Sequence, residues 1–291
     1  MAVEKVLVTG AGLMGSGIAQ VCAQAGLRVW LHDVSRGALD RARQEIGRSV
    51  GKLAEKGRLA EPAEAVLERV SFVGDLEAGA GADLAVEAVF EDREVKREVF
   101  RRLAEVCRPE ALLATNTSAI PVSELAAAAS RPERVLGLHF FSPVPLMQAV
   151  EVIAGYATSP ETFEAGRLFA LRIGKEPILV RRDVPGFVLN RINLPSTIEA
   201  MHLVEEGVAT PEDIDKGVRL ALGRKMGIFE TGDLVGLDVT CGALKALYEE
   251  TKDPRWYPPM ILRRKVAAGH LGRKAGRGWY AYDAGGNRVE E

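Results

Sequence analysis

A chain of 291 residues, 47% of them hydrophobic, is long enough to build two domains, each with its own core. A formal net charge of −2, with both signs mixed along the chain, excludes the basic footprint of a protein that binds nucleic acid or an anionic membrane. With no secretory-type leader at Met1 and no run of ~18 apolar residues, the expectation is a soluble cytoplasmic protein acting on a small molecule.

The first part of the chain alternates short apolar strands with helical periods, a pattern that implies βαβ units and a parallel sheet. Lys5 to Thr9 and Arg28 to His32 read as strands on either side of a helix over Met14 to Ala25. Ser35 to Arg69, charged and interrupted by Gly57 and Pro62, is too long for one crossover helix and reads as an inserted helical hairpin. Strands resume at Val70 to Val73, Leu84 to Phe90 and Ala111 to Thr115, with a helix from Arg93 to Cys107 before the last of them. Val135 to Phe141 and Gln148 to Ile153 are linked through Ser142-Pro143-Val144-Pro145, so short a connection that the two read as antiparallel neighbours. A helix over Glu161 to Arg172 and a strand over Pro177 to Val180 precede a change of character at Val184-Pro185-Gly186. Beyond it, Phe187 to Glu206, Pro211 to Leu220 and Leu237 to Glu250 carry helical periods, and Gly269 to Gly278 is a basic, glycine-rich loop. Cys22, Cys107 and Cys241 are odd in number and lack metal-ligand spacing, so reduced, packed thiols and no metal are expected.

Gly10-Ala11-Gly12-Leu13-Met14-Gly15 follows a strand and opens a helix, the context in which backbone amides and a helix N-terminus receive a pyrophosphate. Gly10 would make the turn, Gly12 allow close approach and Gly15 pack helix on strand, with Leu13 and Met14 beside the ligand. Asp33 ends the second strand, where a carboxylate accepts from a ribose 2′-hydroxyl and repels a 2′-phosphate, so NAD is preferred over NADP. The alternative is a set of glycines that serve only as turn residues. The fold class is α/β: a Rossmann-like doubly wound sheet with an inserted helical hairpin over residues 1–183, followed by a smaller all-helical domain over 184–291.

His139 lies in Gly137-Leu138-His139-Phe140-Phe141, and Glu151 lies across the expected hairpin in Ala149-Val150-Glu151-Val152-Ile153. Either charge alone in an apolar strand is costly, whereas a hydrogen-bonded pair is tolerated. Oxidising a secondary alcohol needs a group that takes the hydroxyl proton as hydride departs, and an imidazole oriented by a carboxylate suits that task. A purely structural ion pair is the other reading.

Gly10 to Gly17, Val86-Glu87-Ala88-Val89-Phe90-Glu91, Asn116-Thr117-Ser118, His139-Phe140-Phe141-Ser142-Pro143, Glu151, Pro185-Gly186-Phe187-Val188-Leu189-Asn190-Arg191, Met226-Gly227 and Gly276-Arg277-Gly278-Trp279-Tyr280 together resemble the 3-hydroxyacyl-CoA dehydrogenase family, including its short-chain 3-hydroxybutyryl-CoA members. The resemblance covers essentially the whole chain. It implies His139 as general base, Glu151 as its partner, and Ser118 and Asn190 around the substrate's 3-oxygen. It further implies that Glu91, Lys96, Asn116, Ser118 and Ser142 contact NAD, and that Ser49, Lys56 and Ser118 contact the acyl-CoA. Ser142 stands where many members carry Asn, and Ile228 where Pro is more usual. A homodimer through the C-terminal domain and a place in fatty-acid metabolism such as β-oxidation are also implied. Each position has a plainer alternative: Ser118 as a helix cap near Pro121, Asn190 and Lys56 as solvated surface residues, Glu91 as a partner of a helix dipole. Two rival functions share this architecture: a CoA-free 3-hydroxyacid dehydrogenase of the sugar-acid and lens-crystallin type, and a nucleotide-binding structural or regulatory protein without catalysis.

Overall fold

In β1 (Lys5–Thr9) Val6 and Val8 point to one face and Leu7 to the other, and all three are fully buried, so both faces of the strand must be covered. The computed structural model describes residues 3–289, and it arranges β1 in parallel with β2 (Arg28–His32) and β4 (Leu84–Glu87). β3 (Val70–Val73), β5 (Leu112–Thr115) and β6 (Val135–Phe140) extend the parallel sheet. β7 (Ala149–Ile153) then runs antiparallel to β6, and β8 (Glu176–Val180) runs parallel to β7. The order is β3-β2-β1-β4-β5-β6-β7-β8, which reverses direction of growth at β1 and β4. Ligands of such sheets bind outside the carboxyl ends of the strands at that reversal.

One face carries α1 (Leu13–Gln24), α2 (Arg36–Glu55), α3 (Ala63–Glu68) and α6 (Pro160–Arg172), with Ile18, Ile46, Val66 and Phe169 in one core with Val6 and Val8. The other face carries α4 (Arg93–Val106) and α5 (Val122–Ala126), whose Phe100, Leu103 and Leu125 join Leu7 in a second core. Side chains fix where these helices begin. Ser35 accepts from Ala38 N at the start of α2, and Asp92 from Val95 N at the start of α4. The Ser35–Arg69 segment forms the expected hairpin as α2 and α3.

The chain divides into two compact units between Phe187 and Val188. The second unit contains α7 (Leu189–Glu205), α8 (Pro211–Leu222), α9 (Ile228–Val235), α10 (Leu237–Thr251) and α11 (Met260–Ala267). It is helical apart from one feature that the all-helical expectation lacked, a two-stranded antiparallel hairpin of β9 (Ala281–Tyr282) and β10 (Arg288–Val289). Tyr280 and Tyr282 alternate inward from this segment, and their hydroxyls donate to Asp215 Oδ2 at 2.8 Å and Asp233 Oδ2 at 2.9 Å. Asp215 also accepts from Phe229 N and Glu230 N, and Asp233 from Trp279 N and Tyr280 N, so two buried carboxylates tie the C-terminal segment to the helices. All three cysteines are free and buried.

Candidate active site

In the glycine turn at the carboxyl end of β1, the first and third glycines make contacts that only glycine permits. Gly10 has φ +102°, and a Cβ there would lie 2.5 Å from Ala88 O. A Cβ on Gly15 would lie 1.7 Å from Gly10 O, so the third glycine lets helix α1 sit directly on the turn. Gly12 differs: a Cβ there meets nothing within 4 Å. No side chain caps that helix and no acidic residue sits in its first turn, so the fit is to an anion such as a pyrophosphate. Asp33 stiffens the turn, with Oδ2 accepting from Ala11 N at 2.8 Å and Oδ1 from Ser35 N at 2.8 Å. Each carboxylate oxygen retains a lone pair for a ribose hydroxyl. Leu13 is exposed and Met14 half-buried beside the turn.

The β6–β7 register sets His139 directly opposite Glu151. His139 Nδ1 and Glu151 Oε2 are 2.7 Å apart, with the two side chains 6% and 0% exposed. An ionised carboxylate only accepts, so Nδ1 carries the proton and Nε2 is left with its lone pair. Phe141 packs edge-on against the imidazole at 4.7 Å and Phe187 packs at 5.6 Å. Phe187 holds φ +47°, a conformation costing on the order of 1–3 kcal/mol in a non-glycine residue, and its almost complete burial shows what offsets that cost.

The ends of β4 and β5 carry a second charged cluster, with Glu87 and Lys96 buried. Lys96, 1% exposed, places its ammonium 2.7 Å from Glu87 Oε1 and 3.3 Å from Glu91 Oε2. Glu87, fully buried, also accepts from Val89 N at 2.7 Å and from the Thr115 hydroxyl at 2.8 Å. Glu91 Oε1 accepts from the Thr117 hydroxyl, Ser118 N and Ala119 N at 2.6, 2.8 and 3.0 Å. Burial pushes the Glu91 carboxyl up, but Lys96 and those three donors outweigh it and hold the group below its ordinary value. Ser118 is thus positioned by its backbone and caps no helix, since the side chain at the start of α5 makes no cap. Asn116 Oδ1 accepts from Phe140 N at 2.9 Å and joins the ends of β5 and β6.

A pocket of about 300 Å³ lies between α1, α2 and the β6–β7 loop. Ser49 and Lys56 line it, together with Lys52, Arg58, Gly17, Gln20, and the loop residues Val144 and Leu146. Three cations against the single carboxylate of Glu45 suit a phosphorylated ligand. The loop follows the cis Ser142–Pro143 bond, with Ser142 exposed, and is clamped from below. Lys175, buried, donates to Val144 O and Met147 O at 2.7 Å each, and burial lowers its pKa. From above, Gly17 brings α1 so close that a Cβ would lie 2.8 Å from Val144 Cβ.

The first unit therefore carries the glycine turn, Asp33, Glu91, Asn116 and Ser118 on loops at the carboxyl ends of β1, β2, β4 and β5, Lys96 on α4, and His139 and Glu151 on the β6–β7 ladder. Ser49 and Lys56 share the pocket, and Asn190 lies in the first turn of α7 in the second unit. Glu87, Lys175, Lys52 and Arg58 were not singled out from sequence. For Glu87 a signal existed, a lone carboxylate closing the apolar run Leu84-Ala85-Val86.

Residues 5–184 match the 3-hydroxyacyl-CoA dehydrogenase NAD binding domain, and residues 186–282 match the 3-hydroxyacyl-CoA dehydrogenase C-terminal domain. A probable 3-hydroxybutyryl-CoA dehydrogenase of Deinococcus radiodurans is 46% identical over 275 residues, covering 94% of this chain and 99% of that one. The crystal structure of (S)-3-hydroxybutyryl-CoA dehydrogenase PaaH1 from Ralstonia eutropha is similar with a TM-score of 0.90 at 38% identity, over 97% of this chain and 100% of that one. That of FadB2 from M. tuberculosis gives 0.93 at 40% identity, with the same coverage of 97% and 100%.

Proposed function

The chain belongs to the 3-hydroxyacyl-CoA dehydrogenase family, and from that premise we propose that it oxidises short-chain (S)-3-hydroxyacyl-CoA thioesters such as 3-hydroxybutyryl-CoA, reversibly, to 3-oxoacyl-CoA. It is an NAD-dependent oxidoreductase. The observation that carries the reading is the buried His139–Glu151 pair, 2.7 Å apart in the same unit as the open glycine turn.

NAD, when bound, supplies the hydride acceptor. His139 Nε2 takes the proton of the substrate's 3-hydroxyl while the carbon beneath it gives up hydride, so that a C=O replaces H–C–O–H and the proton ends on the imidazole. Glu151 stabilises the imidazolium through Nδ1–H. The Ser118 hydroxyl donates to the 3-oxygen, where charge develops. Asp33, Glu91 and Asn116, with Ser142 at the loop, hold the cofactor, and Lys96 acts on it by holding Glu91. Ser49, Lys52, Lys56 and Arg58 receive the CoA phosphates.

The second unit forms a homodimer in this proposal. Its exposed Ile192, Val208, Leu220 and Leu222 support a face covered by a second copy. The three free thiols fit a cytoplasmic setting, and among the described residues no helix is long and apolar enough to cross a membrane.

The test is loss of NADH absorbance with acetoacetyl-CoA, run beside free acetoacetate and beside NADPH. Turnover confined to the thioester and NADH is the expected result. Equal turnover of the free acid would replace the acyl-CoA reading with a CoA-free hydroxyacid dehydrogenase.

A further inference from the structure

The Glu87–Lys96–Glu91 cluster holds two carboxylates and one ammonium, with Glu87 and Lys96 buried and Glu91 at its exposed end. Glu87 meets three donors and Glu91 four, counting Lys96 for each, a surplus of donors that suits two carboxylates better than two carboxylic acids. The cluster thus carries a net charge of −1. It closes the carboxyl ends of β4 and β5, and it grips the backbone of Ser118.

We infer that Glu87, acting through Lys96 and Glu91, sets the preference of the chain for the oxidised over the reduced cofactor. The inference rests on the function proposed above. Ser118 meets the reacting oxygen in that reading, and hydride transfer requires the nicotinamide to lie against the carbon that bears this oxygen. The ring is a cation in NAD⁺ and neutral in NADH. A fixed negative charge beside it favours the cation, whereas every contact to ribose or phosphate is common to the two redox states and cancels in their ratio. Glu87 is a positioning residue here, since it reaches the site only through its partners.

The experiment measures dissociation constants of NAD⁺ and NADH separately, by calorimetry or protein fluorescence, for the wild-type chain and three variants. Glu87→Gln keeps the shape and removes one charge. For a unit charge within roughly 10 Å of the ring at an effective dielectric of about 20, the ratio Kd(NAD⁺)/Kd(NADH) should rise on the order of tenfold. Thr115→Val removes a hydrogen bond to Glu87 but no charge, and should leave the ratio unchanged. Glu91→Gln makes the same charge change from the exposed end and covers the case in which Glu87→Gln does not fold. A ratio within twofold of wild type in the carboxylate variants that fold overturns the inference and leaves the cluster a structural one. Failure of the wild-type chain to bind either nucleotide would instead overturn the cofactor reading itself, and this inference with it.

Discussion

Glu151→Gln isolates what the buried carboxylate does for His139. At 2.7 Å and an effective dielectric of about 20, full unit charges attract by about 6 kcal/mol. The imidazole is roughly half protonated when the proton is in flight, so about 3 kcal/mol of that attraction belongs to the transition state and is absent from the ground state. At 1.36 kcal/mol per tenfold, turnover should fall on the order of 100-fold. The glutamine carbonyl still accepts from Nδ1–H, so the ring keeps its tautomer and place, and NADH affinity should hardly move. Steady-state kcat for oxidation of (S)-3-hydroxybutyryl-CoA by NAD⁺, set beside NADH binding and a thermal melt, separates these outcomes. A variant within about threefold of wild-type kcat, folded and binding NADH, would refute the idea that Glu151 stabilises an imidazolium.

His139→Gln should lower kcat by at least 10²-fold while changing the dissociation constant of NADH less than about threefold; the two are read from initial rates and from fluorescence titration. Gly17→Val forces the β6–β7 loop away from α1, since a Cβ alone already reaches 2.8 Å from Val144, so KM for acetoacetyl-CoA should rise several-fold with kcat less affected. Lys56→Met combined with Ser49→Ala should lower kcat/KM for the thioester roughly tenfold and leave any residual rate on free acetoacetate unchanged. Burial raises the pKa of Glu230, but Gly227 N–H, Arg219 and Arg288 outweigh it and hold the folded value below 4.5. Its contribution is therefore fully present above that pH and lost as pH falls through the lowered value. Glu230→Gln should melt about 2 °C below wild type at neutral pH, and calorimetry should show the gap closing in acid.

The parallel strands were legible because a sheet covered on both faces needs continuous apolar runs, and Lys5–Thr9, Leu84–Glu87 and Leu112–Thr115 supply them. His139 and Glu151 were legible as a pair for a geometric reason. A short link fixes hairpin register, and a slip of one residue would turn Glu151 to the opposite face of β7. The eight-residue helices α9 and α11 were not foreseen, since so short a segment offers two turns of periodicity at most. The C-terminal hairpin escaped for a different reason. Its two strands of two residues are held by Asp215 and Asp233 from distant helices rather than by their own pattern.

Buried charges were the hardest to read, although the period marked two of them. The buried residues of α4 are Lys96, Phe100 and Leu103, one stripe at spacings of four and three, so the lysine stands on the apolar face. Asp215 and Val218 of α8 show the same three-residue step. A charged residue in such a stripe has two outcomes, a stem that lies along the core with its head in water, or a head that is buried with a partner. The choice between them lies outside the helix. For Lys96 the partner ends the preceding strand, nine residues earlier, where Glu87 interrupts an apolar run at a depth no water reaches. Each residue alone is an anomaly; the βα crossover that brings the end of β4 beneath the first turns of α4 turns two costs into one satisfied pair. The lone carboxylate at the strand end and the lone cation on the helix's inner face are therefore best read together, as a site's supporting layer, before either is assigned to solvent.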